Sequence, residues 1–447
     1  MRNAGIHSKG RNLGLRIIIA CLTTLLFRVA LDFVYVNYVA RVYAADFPLD
    51  ASDGLRLLES YMIPLGLGGW LALSVYSKWR PTGFFLVYYF AIVVIPLSSL
   101  YGLANAPASF IYGAVGCFGF LVLVTHVLPK VKIPQPGKGL LYVGIVIVAG
   151  ISAYVYGMLV ASGGLKRLSF DLLSVYEVRA DYVQTAGPFM GYFVPWQAHV
   201  FNMGLFSLGL QRKNFRLLGI AVLAQVLLFG MTGFKSFMLA PLLVGGVYLV
   251  WQRKNVIPYI LGGGILVVLA SYAIFLTTGS EWVPSIFIRR LFFVPARLHV
   301  IYYEFFSEPE HPYFMLSGSI FRPFIKNPYG VPIPVVIARA YWGREFWPDV
   351  GYLGDAYANF GFFGMLLFSA ILGVILRILD SVASRLPPQF VAATISMPAM
   401  ALTESALFTS MLTHGLILAG LMIWIIQAAY SQGAKKCDRP CYAALPR

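Results

Sequence analysis

Twelve apolar runs, ten about long enough to cross a bilayer and two shorter, leave this chain few ways to fold. They are Leu15–Asn37, Leu57–Tyr76, Thr82–Leu100, Ser109–Leu128, Gly139–Ala161, Pro188–Leu210, Leu217–Met231, Ser236–Trp251, Val256–Thr277, Ala358–Leu379, Phe390–Leu407 and Leu412–Tyr430. A hydrocarbon core of about 30 Å asks for roughly 20 apolar residues in a helix. Composition points the same way: 59% of the 447 residues are hydrophobic and only 12% are charged. So few charges cannot clothe a water-soluble particle, which excludes a soluble enzyme, a disordered chain and a small disulfide-stapled module. The runs are continuous rather than alternating, so a β-barrel is not indicated, and no period of a solenoid is present. Ala44-Ala45 resembles a cleavage site but lies too far beyond the first run, which reads as a retained anchor. The expectation is an all-α polytopic membrane protein of about 12 transmembrane helices, with 11 to 13 compatible, forming a single integral domain over residues 1–447.

Charge orients the spans. With the N-terminus placed in the cytoplasm, the inner segments collect 20 of the 34 Lys and Arg, including Arg2, Lys9, Lys78, Arg80, Lys130, Lys132, Arg212, Lys213, Arg253, Lys254, Lys435 and Lys436. The net charge of +16 is then an insertion signal, not a nucleic-acid patch, and both termini lie inside. Polar sequence gathers on the outer side, in segments 162–187 and 278–357. The inner loops are too short to hold a domain. Chemistry is therefore expected at the outer face, where no ATP is available and a substrate must arrive already activated.

Several familiar signatures fail. Thr232-Gly-Phe-Lys-Ser236 ends like a phosphate loop but lacks the earlier glycine and a preceding strand. Gly66, Gly68 and Gly262–Gly264 fall inside spans and suit helix packing. Cys437 and Cys441 have no second ligand pair, His7, His126, His299 and His311 have no ligand spacing, and no metal or cofactor is expected.

Cations on the outer side stand out: Arg179, Lys235, Arg289, Arg290, Arg297, Arg322, Arg339 and Arg344. Lys235 lies between two runs shorter than a full crossing, so its turn should sit below the outer surface. A cation there faces a protein cavity or snorkels to the headgroups. Pro295 suits the first position of a helix, placing Arg297 beside free backbone N–H groups, an anion-binding arrangement; Glu304 falls on the same face. Arg forks match phosphate oxygens, and a phosphate or pyrophosphate at the membrane boundary is the ligand this set suits. Tyr302, Tyr303, Trp342, Trp347 and Tyr357 suit stacking on sugars and equally suit an interfacial belt. Arg28 and Asp32, one turn apart in the first span, read as an ion pair or as part of a substrate cavity. Glu404 and His414 lie near the outer ends of the last two spans.

Arg290-Leu-Phe-Phe-Val-Pro-Ala296 with Tyr302-Tyr-Glu-Phe-Phe306, and Gly354-Asp-Ala-Tyr-Ala-Asn-Phe-Gly-Phe-Phe-Gly364, resemble motifs of bacterial O-antigen and oligosaccharide repeat-unit polymerases of the Wzy type. Thr232–Ser236 is similar to that family's inter-span turn, and Tyr176–Tyr182 to its Arg-containing outer segment. The likeness spans about residues 165–365; Arg179 to Gly191 is one residue longer than the R-x10-G spacing of some members. The resemblance implies a GT-C-like fold and a metal-independent, inverting glycosyl transfer at the periplasmic face of the inner membrane. Undecaprenyl-pyrophosphate-linked polymer would pass onto a new lipid-linked repeat unit, releasing undecaprenyl pyrophosphate. Asp355 or Glu304 would act as base. Arg179, Lys235, Arg289, Arg290, Arg297, Arg322 and Arg339 would hold pyrophosphate, with Tyr303 on the glycan. A chain-length regulator and a flippase would be partners. A ligase moving glycan onto lipid A-core, using His299 or His311, and a lipid-linked oligosaccharide transporter are the competing readings. Transporters commonly show two repeated halves, and no repeat is visible here.

Overall fold

The structure, a computed structural model, describes residues 2–50, 53–77, 79–171, 175–253, 255–318 and 323–436, with side chains from 13 to 429. Arg322 and the Cys437/Cys441 pair lie outside the described residues. Every regular element among the described residues is a helix, and each of the twelve apolar runs falls largely on helix. Among the described residues, eight helices are long and apolar enough to cross a membrane: Leu13–Val42, Gly83–Leu103, Ala108–Val127, Lys138–Ala161, Phe215–Thr232, Val256–Thr278, Tyr352–Val382 and Leu407–Ala429. The other four runs form shorter or more polar helices. Gly54–Ser77 is diluted by Gly, Ser and Tyr, 190–212 carries Gln197, His199 and Asn202, Lys235–Trp251 has 17 residues, and Pro388–Ala401 has 14.

The chain packs as two compact units: residues 1–128, 253–376 and 400–408, and residues 129–252, 377–399 and 409–447. In the first, Gly83–Leu103 is the hub. Its apolar window is entirely buried, as a helix that is hydrophobic all round must be, and it touches Gly54–Ser77, Ala108–Val127 and Val294–Ser307. A buried polar knot ties its neighbours. Arg28 pairs with Asp32 and donates to Ser60 Oγ and Ser98 O, both at 3.0 Å, while Tyr61 Oη donates to Asp32 at 2.7 Å. Of the two readings for this pair, the structure shows the ion pair, enclosed by its own hydrogen bonds.

In the second unit, Val155, Leu159, Val175, Tyr182, Val194, Leu228 and Phe237 share one core cluster. Val200, Phe390, Ile395 and Ile423 share another. Lys138–Ala161 buries only 11% of its apolar window. Its Val146 is 70% exposed, and Leu242 of Lys235–Trp251 is 75% exposed. Apolar surface of that extent is at home in lipid, not in water.

Segment 162–187 carries the helix Val175–Thr185. Segment 278–357 carries a continuous helical stretch over 282–307 and the helix Ile333–Trp342. Among the described residues, four π-helical stretches interrupt the α-helices: Tyr35–Val39, Phe90–Val94, Gln197–Phe201 and Ser285–Phe293. Such insertions recur at functional sites, and Ser285–Phe293 holds the candidates Arg289 and Arg290.

Candidate anion-binding elements

Helices Phe215–Thr232 and Lys235–Trp251 meet at the two-residue turn Gly233-Phe234. Gly233 adopts φ +69°, and a Cβ there would lie 2.5 Å from Val175 O and 3.0 Å from Arg179 N. Only glycine lets the backbone of Val175–Thr185 sit directly on the turn. That seat sets two cations. Arg179 donates from Nη2 to Gly233 O at 3.2 Å, with its guanidinium 4.6 Å from the Phe234 ring centre. Lys235 holds its Nζ 5.0 Å from the Tyr176 ring centre. Both are half-buried, and aromatic faces attract and orient such cations.

A third cation, Arg167, was not singled out by sequence. It donates to Met231 O at 3.0 Å, Ser162 O at 2.8 Å and Thr185 Oγ1 at 2.9 Å. It thereby satisfies carbonyls at two helix ends and ties Val175–Thr185 in place. Its one sequence signal is a basic residue just beyond an apolar run, which does not say what it bonds.

In the first unit, Arg289 stacks 4.3 Å from the Tyr43 ring centre and donates to Ser285 Oγ at 3.2 Å. Arg290, in the same π-helical stretch, is exposed. Arg297 donates from Nε to Asp46 O at 3.1 Å and pairs with Glu304 at 3.6 Å. Trp342 Nε1 donates to Asp46 Oδ1 at 2.9 Å. The shared face of Arg297 and Glu304 is as the spacing predicts. The free N–H groups expected beside Pro295 are absent, because the π-helical stretch Ser285–Phe293 runs straight into Val294–Ser307 and the Val294 N–H bonds Arg289 O. The anion-site argument for Arg297 therefore rests on its guanidinium alone.

Arg339 pairs with Glu345 on the surface. Tyr303 Oη lies 2.6 Å from Ser109 Oγ, and its ring packs against Phe110 and Tyr357. Asp355 sits in the first turn of its helix, buried, and accepts from Asn359 Nδ2 at 3.1 Å. It is built into the helix and does not cap its start. Glu304 stays half-exposed. His299 is fully buried. Its Nδ1 lies 2.6 Å from Pro295 O and its Nε2 3.4 Å from Tyr89 Oη, and burial lowers it to about 4. His311 stacks on Phe305 and bonds its carbonyl.

Sequence reading missed Asp349. The carboxylate keeps a solvent-facing side, yet desolvation by the protein packed around it, and secondarily Glu404, raises it to about 6. Arg290 acts electrostatically on that same Glu404. The result is an accessible carboxylate, a second carboxylate and an exposed guanidinium in one neighbourhood. Among the described residues, no three His, Cys, Asp or Glu side chains cluster as metal ligands would.

The sequence-predicted cations thus divide between the units. Arg179 and Lys235 converge in one; Arg289, Arg290, Arg297 and Arg339 lie in the other, with Arg339 apart on Ile333–Trp342. No family model, curated protein or solved structure matches this chain.

Proposed function

We propose that the chain is a lipid-linked oligosaccharide polymerase of the inner membrane. It would transfer undecaprenyl-pyrophosphate-linked glycan onto a new lipid-linked repeat unit at the periplasmic face. The observation that carries this reading is the pair Arg179 and Lys235, held by aromatic faces at a glycine-dependent turn between two apolar helices. Such a pair suits the oxygens of a pyrophosphate whose hydrocarbon tail lies in lipid. The proposed topology has twelve spans in a GT-C-like arrangement, both termini cytoplasmic, and the segments 162–187 and 278–357 outside.

In this reading, Arg179 and Lys235 stabilise charge on the departing pyrophosphate, and one lost donor costs about 10²–10³ in rate; Arg289, Arg290 and Arg297 are proposed separately as phosphate-binding cations of the first unit. Asp349 joins Glu304 and Asp355 as a candidate base for the acceptor hydroxyl, and its accessibility puts it ahead of the buried Asp355. A chain-length regulator and a flippase are the proposed partners. The ligase reading loses force because His299 and His311 are both engaged in local packing and hydrogen bonding.

The test is turnover by purified protein in lipid, given an undecaprenyl-pyrophosphate repeat unit, chelator and no nucleotide. A ladder of lengthened products with released undecaprenyl pyrophosphate, lost in Arg290→Ala and Lys235→Ala, is the expected result. Transfer to lipid A-core without a ladder points to a ligase. Movement of the lipid-linked unit across the bilayer without any new glycosidic bond points to a transporter.

A further inference from the structure

The π-helical turn Gln197–Phe201 places His199 at 7% exposure inside the second unit. Its ring meets Phe237 edge-on with centroids 5.6 Å apart, and stacks on His414 at 5.6 Å with 24° between planes. Among the described residues, neither ring nitrogen of His199 nor Nδ1 of His414 has a hydrogen-bond partner. A neutral imidazole offers one N–H donor and one lone-pair acceptor. Leaving such a buried group unsatisfied forfeits its hydration without return, so native interiors keep few of them without a water, ion or ligand to complete them.

The arrangement is held firmly. Trp196 Nε1 donates to Leu412 O at 2.7 Å, and His414 N donates to Thr409 O at 3.1 Å. Gly415, at φ +80°, brings its backbone so close that a Cβ would lie 2.7 Å from Val200 Cγ2. The two rings therefore cannot easily swing out to water.

Their chemistry narrows the ligand. A metal ion takes lone pairs only, and two nearly parallel rings aim their lone pairs along similar directions instead of at one point. An anion takes N–H groups only and leaves the acceptor nitrogens bare. A hydroxyl both donates and accepts. We propose that His199 and His414 form a hydroxyl-binding subsite. It adjoins the cationic turn: Phe237 packs on Phe234 at 5.1 Å, and Arg179 lies over Phe234. Resting on the polymerase reading, the hydroxyl belongs to a sugar of the lipid-linked glycan whose pyrophosphate Arg179 and Lys235 hold.

The experiment compares two probes binding to the full chain in lipid nanodiscs: undecaprenyl pyrophosphate alone, and the same lipid carrying a disaccharide. His199→Phe should weaken the disaccharide-bearing probe about tenfold and leave the bare lipid unchanged. His199→Asn, which keeps a donor and an acceptor, should fall between. Unchanged affinity for both probes with a lower unfolding temperature in His199→Phe means that the rings hold only an ordered water, and overturns the subsite. Equal weakening of both probes means a packing defect, and overturns it too. If neither probe binds the native protein, the polymerase reading falls together with this inference.

Discussion

Asp349 and His299 carry the sharpest expectations at the scale of single residues. A base at about 6 gives turnover that falls as pH drops through 6 and levels off above it. Asp349→Asn should remove that acidic limb and lower the rate by roughly 10²–10⁴; a variant that keeps the limb transfers the role to another carboxylate. His299 works on stability. Its proton affinity is depressed on folding, from an ordinary value near 6.5 to about 4, so between those pH values the unfolded chain binds a proton that the folded chain does not. Stability is full above about 6.5 and is lost as pH falls toward 4, by up to about 3 kcal/mol. Thermal unfolding of His299→Gln across that range should show a flatter slope than the native protein.

At the scale of elements, the decisive features are breaks in helices. The helix Tyr352–Val382 is interrupted at Phe360 and Gly361, where Gly361 takes φ +60° and ψ −148°. That conformation is essentially confined to glycine, and a Cβ would also lie 2.8 Å from Tyr313 Oη. Gly361→Ala should destabilise the fold by about 1–3 kcal/mol, read as a lower unfolding temperature in detergent. Arg167 acts at the same scale by holding Val175–Thr185 to the turn. Arg167→Ala should reduce turnover without touching substrate, and should raise the protease sensitivity of segment 162–187. Unchanged proteolysis would remove its tethering role.

For the whole molecule, the open quantity is the number of crossings. Among the described residues, eight helices meet the length and apolarity of a span, and the proposed topology adds four shorter or more polar ones. If Gly54–Ser77 crosses, a membrane-impermeant thiol reagent should label Leu49→Cys in intact spheroplasts and Ser77→Cys only after permeabilisation, in a background lacking native cysteines. Labelling of both from one side would take that helix out of the count and reverse the sidedness of everything after it.

The sequence by itself determined the helical class, the residence in lipid and the positions of the apolar segments. Hydropathy over 20 residues is a local property, and lipid leaves the backbone little choice but to satisfy itself within each segment. It also put Asp32 one turn from Arg28 and Glu304 on the face of Arg297, because helical spacing is local too; that each couple pairs was shown by the structure. Only the tertiary structure decided that Arg179 rides on the Gly233 turn, that Arg167 ties that segment down, and that Asp349 is raised by its surroundings. It likewise placed His199 and His414, 215 positions apart in the chain, face to face. Those are contacts between distant segments, set by which surfaces pack together. The π-helical stretches belong with them: an extra residue in a helical turn is fixed by what it packs against, and it removed the free helix start that Pro295 suggested.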